Sequence, residues 1–226
     1  MEKKGLYFSK LERVLYALSL LAVVAGFFIF DRKHPLYLVI SVVGVVYLAF
    51  CAKGHPVGQA LVIVFSILYG IVSFYARYYG EMITYIGMTG GLAVVSLVSW
   101  LKNPTSKEDR TVKIDKAKRF DYYVLVFGTI GVTAVFYFVL KALNTENLIF
   151  STLSVATSFA ASYLSLRRNK YYAIAYALND AVLIVLWSTL SVADLKYVNL
   201  VVCFAMFFIN DIYGFISWHK RDKGSR

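Results

Sequence analysis

Apolar residues along the chain form blocks of about 20 residues, which are separated by short clusters of lysine, arginine and proline. A block of that length crosses a hydrocarbon core of about 30 Å as an α-helix. The blocks lack the alternating polar face that the strands of a β-barrel require. The pattern therefore predicts an all-α polytopic membrane protein with about eight transmembrane helices, at residues 13–30, 35–51, 57–77, 81–101, 121–142, 147–166, 171–190 and 195–218.

Lysine and arginine are distributed unevenly between the two ends of these spans. Of the 24 basic residues, nineteen lie at the termini and in the even-numbered connections, and seven of these are in the loop 102–120. Among the nineteen are Lys3, Lys4, Lys107 and Arg226. The other five are Arg32, Lys33, Arg77, Lys141 and Lys196. Because connections that stay in the cytoplasm are enriched in basic residues, both termini are predicted to be cytoplasmic.

Composition supports a membrane protein and argues against a nucleic-acid-binding one. Hydrophobic residues make up 59% of the chain and charged residues 16%, with a mean hydropathy of +0.64, whereas a soluble domain is about a quarter charged. A net charge of +11 would attract nucleic acid. Here, however, the basic residues lie at helix ends, where they meet anionic lipid headgroups. We expect the lipid bilayer as a partner and no nucleic acid.

Residues that could carry catalysis or bind a metal are scarce. Cys51 and Cys203 fall within predicted spans and show no ligand pattern. His34, His55 and His219 lie at predicted membrane edges, with no histidine or carboxylate at ligand spacing. The chain also lacks a phosphate-binding glycine loop and a nucleophile motif. We therefore expect no metal site, no cofactor and no catalytic residue.

Polar and aromatic residues concentrate in the last two spans. The seventh span carries a stripe with helical spacing, formed by Tyr172, Tyr176, Asn179, Leu183 and Trp187. Asp180 flanks this stripe. A charged residue at the centre of a span costs about 2.5–3.5 kcal/mol, which favours a functional role over packing alone.

The eighth span has a comparable face, formed by Asn199, Cys203, Met206, Asn210, Tyr213 and Ser217. Asp211 lies well off this face. Two adjacent helices of this kind could enclose a flat polar solute, with rings for stacking and amides for hydrogen bonds. The alternative is that Asn179 and Asn210 form interhelical hydrogen bonds. The serine face of the sixth span is interpreted as a packing seam.

A repeated motif predicts how the spans are organised. The segments SLVSWLK at 96–102 and GFISWHK at 214–220 both end a span. They indicate two parallel three-helix bundles, which take the same orientation only if one further helix connects them. The predicted order is an N-terminal extra helix at 1–34, a bundle at 35–101, a basic loop at 102–120, a linker helix at 121–146, a bundle at 147–218 and a tail at 219–226. Trp100 and Trp218 are predicted to anchor helix ends in the aromatic belt of the membrane interface.

Four segments resemble a known family. They are YYGEM at 78–82, SYLSLRRNKYY at 162–172, YALNDAVLIVLW at 176–187 and NDIYGFISWHK at 210–220. In this order and spacing they resemble the PnuC family of nicotinamide riboside transporters. That family shares its plan of three helices, one linker and three helices with the sugar facilitators called SWEETs.

The resemblance implies a facilitator in the bacterial cytoplasmic membrane that binds a nucleoside-like vitamin precursor between the two bundles. It also implies one-way uptake through phosphorylation inside the cell, and a homotrimer. Asn179 matches the asparagine of the family's seventh span, and Asn210 is similar to a polar position of the last span. Where the family pattern has two tryptophans, this chain has Tyr172 and Ala175. Carriers of (deoxy)nucleosides, thiamine or riboflavin therefore stay open as alternatives to nicotinamide riboside.

The predicted substrate site combines rings and amides. The expected residues are Tyr172, Tyr176, Asn179, Asp180, Trp187, Asn210 and Tyr213, with Gln59, Tyr69 and Tyr85 on the opposite wall. An ion-coupled pump with Asp180 as its proton site is a second hypothesis. A membrane-embedded enzyme is a third and weaker one, since Asp180 is the one carboxylate expected deep in the membrane.

Overall fold

The fold is an all-helical bundle whose spans match the hydrophobic pattern. The computed structural model describes residues 8–106 and 110–224, so that Lys3, Lys4, Lys107 and Arg226 lie outside the described residues. Within them, eight helices are long and apolar enough to cross a membrane, which confirms the predicted number. They are α1 Lys10–Phe30, α2 Pro35–Lys53, α3 Val57–Tyr75, α4 Tyr79–Lys102, α5 Arg119–Ala142, α6 Leu148–Leu166, α7 Tyr172–Ser191 and α8 Val198–Gly224.

Local sequence signals set the helix ends. Ser9 and Glu12 form a capping box, in which each side chain accepts a hydrogen bond from the other residue's backbone amide. Pro35 opens α2, and Gly54 ends it in the left-handed conformation at φ 70°. The second span is therefore two residues longer than predicted, since it ends at Lys53 instead of Cys51.

A π-helical segment, Thr84–Thr89, interrupts α4. It was not predicted, although the glycine-rich sequence IGMTGG at 86–91 overlaps it. Gly90 follows directly, and a Cβ atom added there would lie 3.0 Å from the Tyr85 carbonyl oxygen and 3.3 Å from Ser66 Cβ. Such segments are frequent at functional sites because they re-aim side chains. Here the buried ring of Tyr85 belongs to the π segment.

The helices differ in how deeply they are embedded. The central helix α7 packs against α6 and α8, while α2 packs against α3 and α8. In contrast, α5 buries only Asp121 and Leu140 and packs mainly on α6. The position of α5 is compatible with a linker between two units. The division into two three-helix bundles stays a prediction.

Two tryptophans close the end of the bundle at which α2, α4, α6 and α8 finish. We call this end the basic end. Trp100 Nε1 donates to the Ser165 carbonyl at 3.1 Å, and Trp218 Nε1 donates to the Cys51 carbonyl at 2.9 Å. Both side chains are fully buried, and their ring centroids lie 5.6 Å apart. The prediction that they face the lipid interface is wrong, because protein surrounds them on all sides.

The loop between α4 and α5 folds over this end. Val112 is fully buried in it, and its amide donates to the Gly54 carbonyl at 2.8 Å. Arg221 Nη2 donates to the Val112 carbonyl at 2.8 Å. We call Trp100, Val112, Tyr172 and Trp218 the basic-end cluster, since all four pack in one buried group. Whether this end faces the cytoplasm stays a prediction.

Close packing between α2 and α8 depends on Gly44. A Cβ atom at this position would lie 1.9 Å from Phe207 Cζ. We expect Gly44→Ala to lower the free energy of unfolding by about 1–3 kcal/mol, because the buried ring must move. Thermal unfolding in detergent measures this loss. Gly131→Ala is the matched control, since its added Cβ meets nothing within 4 Å; an equal loss in both variants would contradict the packing argument.

Candidate functional site

A buried amide lies at the centre of the bundle. Asn179 is 1% exposed, and its Oδ1 accepts hydrogen bonds from Thr157 at 2.8 Å and from Ser158 at 3.0 Å. Its Nδ2 donates to the Tyr85 hydroxyl at 3.0 Å. One side chain of α7 is thus bonded to both α4 and α6. Ser158, one of these donors, lies on the serine face of α6. This face therefore contributes hydrogen bonds in addition to its predicted role as a packing seam.

Aromatic rings extend from this amide. The ring centroids of Tyr85 and Tyr69 lie 4.4 Å apart, and Trp187 Nε1 donates to the Tyr69 hydroxyl at 2.7 Å. We call Asn179, Tyr85, Tyr69 and Trp187 the amide centre. These four residues come from three helices, and the sequence predicted all four as site residues. The structure brings them together.

Glu81 is a residue beside the amide centre that sequence reasoning missed. It is fully buried, and its Oε2 accepts from the Tyr69 hydroxyl at 3.5 Å. The Ser154 hydroxyl also approaches this carboxyl, but Oε1 makes no hydrogen bond within the described part of the chain. The predicted fourth span began at residue 81, which placed Glu81 at a membrane edge. The motif YYGEM was the available signal.

Further polar atoms without partners line α3 and α4. The hydroxyls of Ser66, Thr84 and Thr89 are buried, and none has a hydrogen-bond partner among the described residues. Buried polar groups are normally satisfied by protein, water or ligand. The hydrogen-bonding capacity of these three hydroxyls is therefore available to water or to a polar solute.

Three predicted site residues lie on the side of the amide centre that faces the basic end. The Tyr176 hydroxyl bonds to Ser162 at 3.1 Å. The Tyr172 hydroxyl donates to the Cys51 carbonyl at 2.9 Å. Gln59 Nε2 donates to Ser165 Oγ at 3.1 Å. Tyr172 and Gln59 thus belong to the closed basic end.

Asp180 and Asp211 form a pair between α7 and α8. Both are buried, at 3% and 4% exposure, and their carboxyl groups lie within hydrogen-bonding reach of each other. The expectation that Asp180 is the one carboxylate deep in the membrane is wrong, because Glu81 and Asp211 are also buried within the spans.

Two predicted site residues of α8 face α1 instead of the amide centre. Asn210 Nδ2 donates to Ser19 Oγ at 2.9 Å, and the Tyr213 hydroxyl donates to Glu12 Oε1 at 2.8 Å. The structure does not bring these two side chains to Asn179. For Asn210, the geometry agrees with the alternative interpretation, an interhelical hydrogen bond.

A cavity of about 450 Å³ opens at the end opposite the basic end. Its lining includes Lys33, His34, Tyr37, Tyr75, Lys196 and Tyr197. Lys196 Nζ pairs with Asp194 at 2.6 Å, and this hydrogen bonding lowers the pKa of the Asp194 carboxyl. Ring contacts continue inward, from Tyr37 to Tyr197 at 6.2 Å and from Tyr197 to Trp187 at 5.7 Å. Tyr37, Tyr197 and Trp187 thus form a row of contacting rings between this cavity and the amide centre.

Eight apolar helices around a buried centre of amide, hydroxyl and ring groups define a polytopic membrane protein. The family model described as nicotinamide mononucleotide transporter matches residues 34–220. The chain belongs to this family, which confirms the resemblance seen in its motifs and the prediction that it is a transporter and not an enzyme.

Two relatives extend the comparison. The chain is 24% identical over 213 residues to the nicotinamide riboside transporter PnuC of Neisseria mucosa, across 91% of this chain and 80% of that protein. The crystal structure of the vitamin B3 transporter PnuC matches with a TM-score of 0.82 and 22% identity, across 95% of this chain and 92% of that chain. The second match shows that the two chains share their fold.

Proposed function

We propose that this protein is a facilitator in the bacterial cytoplasmic membrane that takes up nicotinamide riboside, which is then trapped inside by phosphorylation. The observation that carries the proposal is the buried amide of Asn179 bonded to Tyr85 beside the rings of Tyr69 and Trp187. The relative from Neisseria mucosa is named for nicotinamide riboside, and the solved structure for vitamin B3. A flat ring with a carboxamide fits these groups chemically.

Each part of such a solute finds a complementary group. Asn179 Nδ2 donates one N–H to Tyr85, so that its second N–H can donate to the carbonyl oxygen of a carboxamide. The rings of Tyr69, Tyr85 and Trp187 offer stacking surface. The hydroxyls of Ser66, Thr84 and Thr89 on α3 and α4, unpartnered within the described residues, offer hydrogen bonds to ribose. Asp180, Asn210 and Tyr213 are left outside the proposed site because Asp180 faces Asp211, while Asn210 Nδ2 and the Tyr213 hydroxyl bond to α1.

The contacts at the basic end suggest how access alternates. Trp100 bonds to α6 and Trp218 bonds to α2, so each predicted bundle is bonded to the other at this end. We propose that these contacts separate when the solute leaves towards Tyr176 and Tyr172. In this proposal the two three-helix bundles rock about the amide centre, α5 links them, both termini are cytoplasmic and the protein is a homotrimer.

Removing the Asn179 amide tests the proposed site. We expect Asn179→Ala to weaken binding of nicotinamide riboside by about 1–3 kcal/mol, because the carboxamide loses its partner. Calorimetry on the purified protein in detergent measures the affinity. Asn210→Ala is the matched control, since this buried amide bonds to α1, and we expect its affinity to be unchanged. A loss in Asn210→Ala alone would move the site to the face of α8.

A second candidate function is transport of a (deoxy)nucleoside. The observation that favours it is the pair Tyr172 and Ala175, which stands where the family resemblance predicts two tryptophans. A smaller stacking surface alters the shape that the site accepts. The same titrations with thymidine, deoxyadenosine, thiamine and riboflavin separate the candidates. Selective binding of a nucleoside would replace the first proposal with this one.

A further inference from the structure

Glu81 differs from the buried carboxylates at the ends of the helices. Glu12 pairs with Lys53 at 2.7 Å, and Asp121 pairs with Arg167 at 2.9 Å. Asp180 and Asp211, which lie within the spans, face each other. Glu81 has no basic partner among the ion pairs of residues 8–106 and 110–224, and its Oε1 makes no hydrogen bond there.

A buried carboxylate without a basic counter-charge is unfavourable, because the charged form has lost its hydration. An incoming cation removes that penalty when it pairs with the carboxylate. The surroundings of Glu81 suit a flat cation in particular. The Tyr69 ring, whose hydroxyl bonds to Glu81, lies against Tyr85 and next to Trp187, and the faces of such rings attract cations.

The unsatisfied hydroxyls supply an independent sign that a polar solute enters here. Ser66, Thr84 and Thr89 lie on the two helices that carry Tyr69 and Glu81, and their buried hydroxyls have no protein partner in the described part of the chain. The combination of one unpaired acid, several rings and free hydroxyls is the donor set for a heteroaromatic cation that also carries hydroxyl groups.

We propose that Glu81 recognises the positive charge of the solute, so that the amide centre selects a heteroaromatic cation over neutral and anionic counterparts. The inference rests on the proposed function and deepens it. The ring of nicotinamide riboside carries a fixed positive charge on its nitrogen. The reduced, dihydropyridine form keeps the carboxamide and ribose but is neutral, and the mononucleotide adds a phosphate that Glu81 repels.

The pair of oxidised and reduced nicotinamide riboside tests the charge alone. Calorimetry with the purified wild-type protein should show that the oxidised form binds about tenfold more tightly or better, as expected for a desolvated charge pair. Nicotinamide mononucleotide should bind more weakly than the oxidised riboside. Glu81→Gln should lose about tenfold in affinity for the oxidised form and should bind both forms equally.

Two further variants control for nonspecific effects. Glu81→Asp keeps the charge and should retain a preference for the oxidised form. Glu146→Gln removes an exposed carboxylate and should behave as the wild type. Equal binding of both forms by the wild type, or a preference that persists in Glu81→Gln, overturns the inference and leaves the proposed function standing. A wild type that binds neither form overturns both. If Glu81→Gln does not fold, equal binding of both forms by the wild type still overturns the inference, and Glu81→Asp shows whether the preference depends on this carboxylate.

Discussion

Replacing Trp218 with alanine is expected to lower the free energy of unfolding by about 3–5 kcal/mol, the range found for buried tryptophan side chains. The indole is fully buried, packs 4.7 Å from the Tyr172 ring and 5.6 Å from Trp100, and lies under the Arg221 guanidinium at 5.3 Å. Truncation leaves a cavity among these groups. The Cys51 carbonyl keeps its bond from Tyr172, so the main loss is packing.

Thermal unfolding in detergent, followed by circular dichroism, measures the effect. In a chain of this size each kcal/mol corresponds to about 2–4 °C. Trp100→Ala should cost a similar amount, since its ring lies in the same basic-end cluster. Trp218→Phe keeps an aromatic ring and should lose less stability than Trp218→Ala. Tyr123→Ala is the control for an exposed aromatic residue; if Trp218→Ala were no less stable than that variant, the basic-end cluster would not hold the two bundles together.

The number and position of the spans were predictable because the length of an apolar block depends on the bilayer and not on tertiary packing. The details at helix ends were less predictable. Gly54 ends α2 where its backbone can take a positive φ, and hydropathy does not report that. The π segment Thr84–Thr89 is followed by Gly90, which fits closely against Ser66 of a neighbouring helix. No pattern within α4 specifies that fit.

The site was predictable within one helix and less so between helices. Helical spacing placed Asn179 and Trp187 on one stripe of α7, and the structure brings Tyr69 and Tyr85 to that stripe. Spacing does not fix how a helix is rotated against its neighbours. Asn210 therefore turned out to face α1, while Asp211, off the predicted face, meets Asp180. Their roles in binding stay predictions.

The repeated motif around Trp100 and Trp218 shows the same limit. The sequence identified both positions as ends of helices next to basic residues. That context is typical of tryptophans in the interface belt. Local sequence cannot distinguish lipid from a neighbouring helix as the environment of a ring, and here the neighbours are protein. Glu81 was missed for a related reason. It lies at the boundary of a predicted span, where a charged side chain is expected to be exposed to water.

Replacing Lys53 with methionine is the second change with a large expected effect. Lys53 Nζ lies 2.7 Å from Glu12 Oε2, and the Glu12 carboxylate also accepts hydrogen bonds from the Ser9 amide and the Tyr213 hydroxyl. Glu12 is only 2% exposed. Methionine retains most of the lysine stem but leaves this carboxylate without its counter-charge. Removing one partner of a fully buried ion pair costs about 3–5 kcal/mol. Because the Lys53 side chain is 22% exposed, we expect a loss at the lower end of this range, which thermal unfolding should detect.

The double variant Glu12→Gln with Lys53→Met separates charge from packing. Because it removes both charges, we expect it to recover most of the stability that Lys53→Met loses, and the difference gives the coupling energy. Equal losses in the two variants would mean that Lys53 acts through its contact with the Phe8 ring, 5.4 Å away. The outcome also bears on α1, which precedes the family match at residues 34–220. A large coupling energy would show that the ion pair fastens this additional helix to α2, and through Tyr213 to α8.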